Sequence, residues 1–128
     1  MNLAVMGALL MGLTVATGAF GAHGLKAHVG PTELGWWNTA VTYQAWHGLG
    51  LLALASLNQR NHSTWVARGG LFLVLGVLVF SGSLYVMTLT GMRILGAVTP
   101  VGGLFLIIGG ICAAIGLWEQ ATASPDGH

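Results

Sequence analysis

Charge is nearly missing from this sequence. Of 128 residues, 4 are Lys or Arg and 3 are Asp or Glu, so only 5% carry a formal charge. Soluble domains place about a quarter of their residues in these four types, which excludes a water-facing surface for most of the chain. A net charge of +1 supplies no basic patch to neutralise a run of phosphates, and nucleic acid is excluded as a partner. The one cysteine, Cys112, has no second thiol to pair with and lies in an apolar block, where it is expected to pack as a small hydrophobe. No carboxylate falls inside a long apolar run and no His-Glu-x-x-His motif occurs. The sequence therefore offers no catalytic triad, no zinc-hydrolase helix and no recognisable metal or cofactor motif. No Lys or Arg precedes the first apolar block, so that block is expected to be a retained span rather than a cleaved signal.

What remains is apolar: 55% hydrophobic residues, 21 glycines and a mean hydropathy of +0.79. The few charges gather near Lys26 to Glu33, Arg60 to Arg68, Arg93, and Glu119 to Asp126, and so mark the loops. Between them lie stretches 3–24, 38–57, 66–90 and 99–118, each about the 20 residues that a bilayer core requires of a helix. The expected fold is all-α, an integral membrane protein with four transmembrane helices in an antiparallel bundle, forming one domain over 1–120 with a mobile tail at 121–128. The second helix has an alternative start at Pro31, with Glu33 in its first turn and Trp36 and Trp37 at headgroup level. Gly91 is expected to close the third helix, and Thr99 to cap the fourth ahead of Pro100. A helix from Leu95 kinked at Pro100 is the alternative.

Glycine spacing predicts how the helices meet. Gly69, Gly76, Ser83 and Thr90 recur at seven-residue steps, as do Gly102, Gly109 and Gly116, with Gly103 and Gly110 beside them. Small residues on one face let backbones approach in lipid, and a seven-residue period holds that face together through a left-handed crossing. Helices three and four are expected to pair tightly. Ala4, Ala8, Gly12 and Ala16, at four-residue steps, are expected to bury the first helix against a partner.

Polar residues within the spans are the candidate functional residues, because burying them is costly without partners. Tyr43, Gln44 and His47 form a patch on helix two; Ser81, Ser83 and Tyr85 lie on helix three and Thr99 at the start of helix four. An alternating path brings these to one leaflet with His23, as a polar recess whose rim is His23 and whose floor is His47, roughly 14 Å from Asn38. His47 is expected to hydrogen-bond Ser81 or Ser83 across the bundle.

"GAFGAHGL" at 18–25, "TAVTYQAWHGLGLL" at 39–52, "FSGSLY" at 80–85 and "TPVGG" at 99–103 stand in the order found in a known family. With them the chain resembles domain-of-unknown-function family 423, small bacterial inner-membrane proteins of the YgdD type, similar also to eukaryotic transmembrane protein 256. The resemblance spans 3–118 and implies a four-helix membrane protein with His23, Tyr43, Gln44, His47, Ser81, Ser83, Tyr85, Thr99 and Pro100 in motif positions. It implies no activity. The chain departs from that pattern at Ala45-Trp46 and at Gly48.

Function is expected to be accessory: a subunit packing against lipid, other membrane proteins or copies of itself through glycine-rich faces. A haem, copper or quinone site on His23 and His47 is the second reading, and proton or solute passage through His47 the third. Positive residues are tied between the two sides, with Lys26 and Arg93 against Arg60 and Arg68. The loop at 58–68 holds two arginines and no acid, so it and both termini are assigned to the cytoplasm.

Overall fold

A computed structural model describes residues 1–123 and is all-helical. The long helices are α1 (Leu3–His23), α2 (Pro31–Leu57), α3 (Thr64–Thr90) and α4 (Thr99–Ala123). Short 3-10 turns at Leu25–Ala27 and Arg93–Ala97 lead into α2 and α4. Three stretches, Leu3–Ala27, Thr64–Thr90 and Arg93–Ala123, are long and apolar enough to cross a membrane. The helix outside that set, α2, matches α3 in length at 27 residues. Its apolar run is interrupted by Glu33, Asn38, Gln44 and His47.

Local chemistry sets the helix ends. The Asn2 side chain accepts from the amides of Ala4 and Val5 and opens α1. Pro31 and Glu33 start α2 a full two turns before 38, because a missing N–H and a negative charge both suit a first turn. The Ser63 hydroxyl accepts from Val66 and starts α3 at Thr64 rather than 66. Gly91, at φ 72°, takes the left-handed conformation that closes α3, as its sequence position predicts.

Thr99 does not act as the expected cap. Its hydroxyl lies 2.6 Å from that of Ser83 and 3.3 Å from the carbonyl of Leu95, so it ties α4 to α3 instead. The start of α4 follows directly on the 3-10 turn, with Val98 O accepting from the amide of Val101 at 3.0 Å. At its far end α4 runs past 118 to Ala123. Gln120 reaches across to Asn58 at 2.7 Å and to the carbonyl of Asn61, which anchors that last turn. Of the expected tail, residues 121–123 are therefore helical, and 124–128 lie outside the described residues.

The helices pack in chain order: α1 on α2, α2 on α3 and α3 on α4, with a lesser approach of α1 to α3. Bonds between them fix an antiparallel register. Trp37 Nε1 donates to Thr17 O and Gln44 Nε2 to Leu10 O, so seven residues forward on α2 match seven back on α1. Ser81 Oγ donates to Ala40 O and Thr88 Oγ1 to Glu33 O with the same seven-residue spacing between α2 and α3. Arg93, 3.9 Å from Glu33, brings the turn before α4 to the end where α2 begins.

Glycine seams hold the outer pairs. A methyl at Gly69 would come within 2.8 Å of Gly109 O and Ala113 N, and one at Gly76 within 2.6 Å of the Leu106 side chain. Gly102 lies against the backbone of Phe80, and a methyl at Gly109 would come 2.9 Å from Gly69 O. The predicted seven-residue seam of α3 and α4 is thus the contact itself, although Thr90 at its end is exposed.

Two packing expectations are corrected. Gly12 and Gly110 have nothing within 4 Å of a built methyl, and Ala8 and Ala16 are exposed with Gly12. A four-residue step drifts about 40° around the helix each time, so Ala4, Ala8, Gly12 and Ala16 cannot hold one face. The contact face of α1 uses Gly7 and Gly21 instead, two heptads apart, with Gly7 2.8 Å from Gly48 O and Gly21 2.6 Å from the Trp37 ring. Gly103 packs only loosely, 3.8 Å from the Phe80 ring.

Candidate functional site

The expected single recess divides into two, because consecutive residues on a helix diverge by about 100°. Gln44 turns between α1 and α3, whereas Tyr43 and His47 turn towards α3 and α4.

The first cluster is a closed hydrogen-bonded knot. Gln44, 4% exposed, donates through Nε2 to Leu10 O at 3.1 Å and accepts at Oε1 from the Tyr85 hydroxyl at 2.7 Å. The Tyr85 oxygen also lies 3.2 Å from Thr17 Oγ1, whose own proton goes to Leu13 O at 2.8 Å. Trp37 completes the knot by donating to Thr17 O at 2.8 Å while its ring packs on Tyr85, 4.4 Å between centroids. Three helices are pinned by one amide, one phenol and one indole. Each buried side-chain nitrogen and oxygen of the knot has at least one protein partner, which suits an apolar surrounding where an orphaned polar group is expensive.

The second cluster is an open groove of about 340 Å³ lined by Tyr43, His47, Phe80, Gly103, Leu106 and Ile107. Its walls are aromatic, with Tyr43 and Phe80 4.4 Å apart between centroids and Tyr43 stacked on His47 at 6.0 Å. His47 Nδ1 lies 2.7 Å from Tyr43 O, one turn back on its own helix. The expected bond from His47 to Ser81 or Ser83 is not made. Ser81 Oγ donates to Ala40 O at 2.8 Å, and Ser83 pairs with Thr99 and the Phe80 carbonyl, so both hydroxyls serve helix packing.

His23 is exposed on the last turn of α1 and lines neither cluster. Among the described residues the groove that His47 lines does not include His23, so the reading of a cofactor held between the two gains no support. Thr17, Trp37 and Phe80 were missed by residue-type reasoning. Trp37 was expected at headgroup level, yet it is 4% exposed; its place seven residues before Gln44 was the signal. At the entry turn, Trp36 lies under the Arg93 guanidinium at 5.6 Å from the ring centroid.

Most of the groove and the knot, all but Leu10, Leu13, Leu106 and Ile107, fall inside a region shared with other proteins. Residues 17–103 match a family described as "Protein of unknown function (DUF423)". This chain belongs to that family. A UPF0382 membrane protein of Staphylococcus saprophyticus is 44% identical over 117 residues, covering 90% of this chain and 95% of the relative. UPF0382 inner membrane protein YgdD of Escherichia coli K12 is 45% identical over 102 residues, 80% of this chain and 78% of the relative. No solved structure matches. Family membership agrees with the apolar composition and the three membrane-capable stretches: this is a membrane protein, and its family carries no established activity.

Proposed function

We propose that this chain is an accessory subunit of the bacterial inner membrane, crossing it four times and packing against other membrane components through α1 and α4. Counting α2 as a span is supported by its buried side chain: both polar atoms of Gln44 find partners on α1 and α3, so it enters lipid already bonded. Both termini and the 58–68 loop are assigned to the cytoplasm, which places the turns holding Lys26 and Arg93 outside.

One observation carries the accessory reading. Polar groups of the knot are consumed in holding helices together, while the outward faces present Leu9, Leu13, Leu104, Ile107 and Ile111 with the small residues Gly12 and Gly110 open among them. Open glycines on a lipid-facing helix are the sites where another backbone can approach closely. Extraction from native membrane in polymer-bounded lipid discs, followed by native mass spectrometry, tests this. A stoichiometric complex with a second membrane protein is expected; a solitary chain at native abundance overturns the reading.

A further inference from the structure

We propose that the groove beside His47 binds a lipid-soluble aromatic alcohol, of the hydroquinone type, whose hydroxyl donates to His47 Nε2. The inference rests on the reading of α2 as a membrane span, which puts His47 within lipid, about 15 Å from Leu57 at 1.5 Å per residue.

The tautomer is the first step. Tyr43 O, 2.7 Å from His47 Nδ1, is a carbonyl and has no proton to give, so Nδ1 carries the hydrogen. In the neutral ring, Nε2 on the opposite edge is then a bare lone pair. Among the described residues Nε2 has no hydrogen-bond partner, while every buried side-chain nitrogen or oxygen has one, so Nε2 is an accessible atom. An accessible acceptor at the level of the hydrocarbon has little water to satisfy it, and a donor arriving from the lipid gains a bond that nothing else competes for.

The walls narrow the chemistry of that donor. The Tyr43 and Phe80 rings stand at 37° to each other, and on the α4 wall Gly103 leaves room beside Leu106 and Ile107, so the space suits a flat ring. A volume of about 340 Å³ is at the small end of ligand pockets, enough for one ring with its tail running out along the exposed Ile107. No charged residue lines the groove. An anionic or cationic headgroup finds no counter-ion there, whereas a neutral O–H finds an acceptor. The step is binding alone, with no electron or proton transferred.

The test uses full-length protein labelled with ¹⁵N-histidine in lipid nanodiscs, titrated with decylhydroquinone and with its dimethyl ether. The account expects the Nδ1–H tautomer for His47, a saturable shift of Nε2 with the hydroquinone, and none with the ether. His47→Phe, which keeps the ring, and Gly103→Leu, which fills the groove, should each weaken hydroquinone binding about tenfold, the loss expected for one well-placed hydrogen bond or its pocket. Equal binding of ether and hydroquinone, or unchanged binding in both variants, overturns the proposal. Thermal unfolding of the two variants checks that they fold. Cysteine labelling separates the failures: if positions 26 and 61 label from the same face, α2 does not cross and the proposal falls with the span. If they label from opposite faces and binding is absent, only the groove proposal falls.

Discussion

Gln44 and His47 stand one turn apart on α2 yet keep different company on the two flanks of α3. Gln44 is enclosed: its amide nitrogen donates to Leu10 O and its amide oxygen accepts from Tyr85, so both polar atoms have partners. His47 is half-open: one nitrogen is bound to its own helix, and the other faces a groove. The knot joins α1, α2 and α3 by side-chain bonds through Gln44, Tyr85, Thr17 and Trp37. The α3–α4 pair is joined by glycine, and the groove lies where Phe80 of α3 and Gly103, Leu106 and Ile107 of α4 meet Tyr43 and His47 of α2.

This contrast can be broken in several places. The largest effect is expected at the seam, where Gly102→Leu or Gly69→Leu drives a side chain into the facing backbone and should destabilise the fold by about 3 kcal/mol, read from denaturation in mixed micelles. Within α1 the same experiment discriminates faces: Gly7→Leu should be similarly damaging, and Gly12→Leu should leave unfolding unchanged within about 0.5 kcal/mol. Next comes the knot. Gln44→Leu strands the Tyr85 hydroxyl and should cost about 1 to 2 kcal/mol, and Tyr85→Phe about 1 kcal/mol. A double-mutant cycle between the two should show coupling. Smallest is the entry-turn ion pair, where Arg93 is 76% exposed and Arg93→Ala should change stability by less than about 1 kcal/mol.

How far these regions were legible in the sequence differs for a physical reason. The α3–α4 seam was readable because a seven-residue glycine repeat has few other uses in an apolar helix. The α1 stripe was misread because alanine at every fourth residue looks like a face but winds around the helix, while Gly7 and Gly21 are too sparse to stand out. Alternation of direction brings Tyr85 to Gln44 and Ser83 to Thr99, while His23 lies apart from both clusters. Their division into knot and groove was not readable, because it depends on the rotation of α2 about its axis, set by Gly48 against Gly7 and Ala40 against Ser81. Thr99 shows the same limit: its sequence position suits a cap, but Ser83 lies close enough to take its hydroxyl.

The roles proposed for both regions presuppose that α2 crosses the bilayer. Single cysteines at 26, 61 and 93, introduced one at a time into a Cys112→Ala chain and probed with a membrane-impermeant maleimide in intact and opened cells, test that most directly. The account predicts that 26 and 93 label together from one face and 61 from the other; labelling of 26 and 61 from the same face would contradict it.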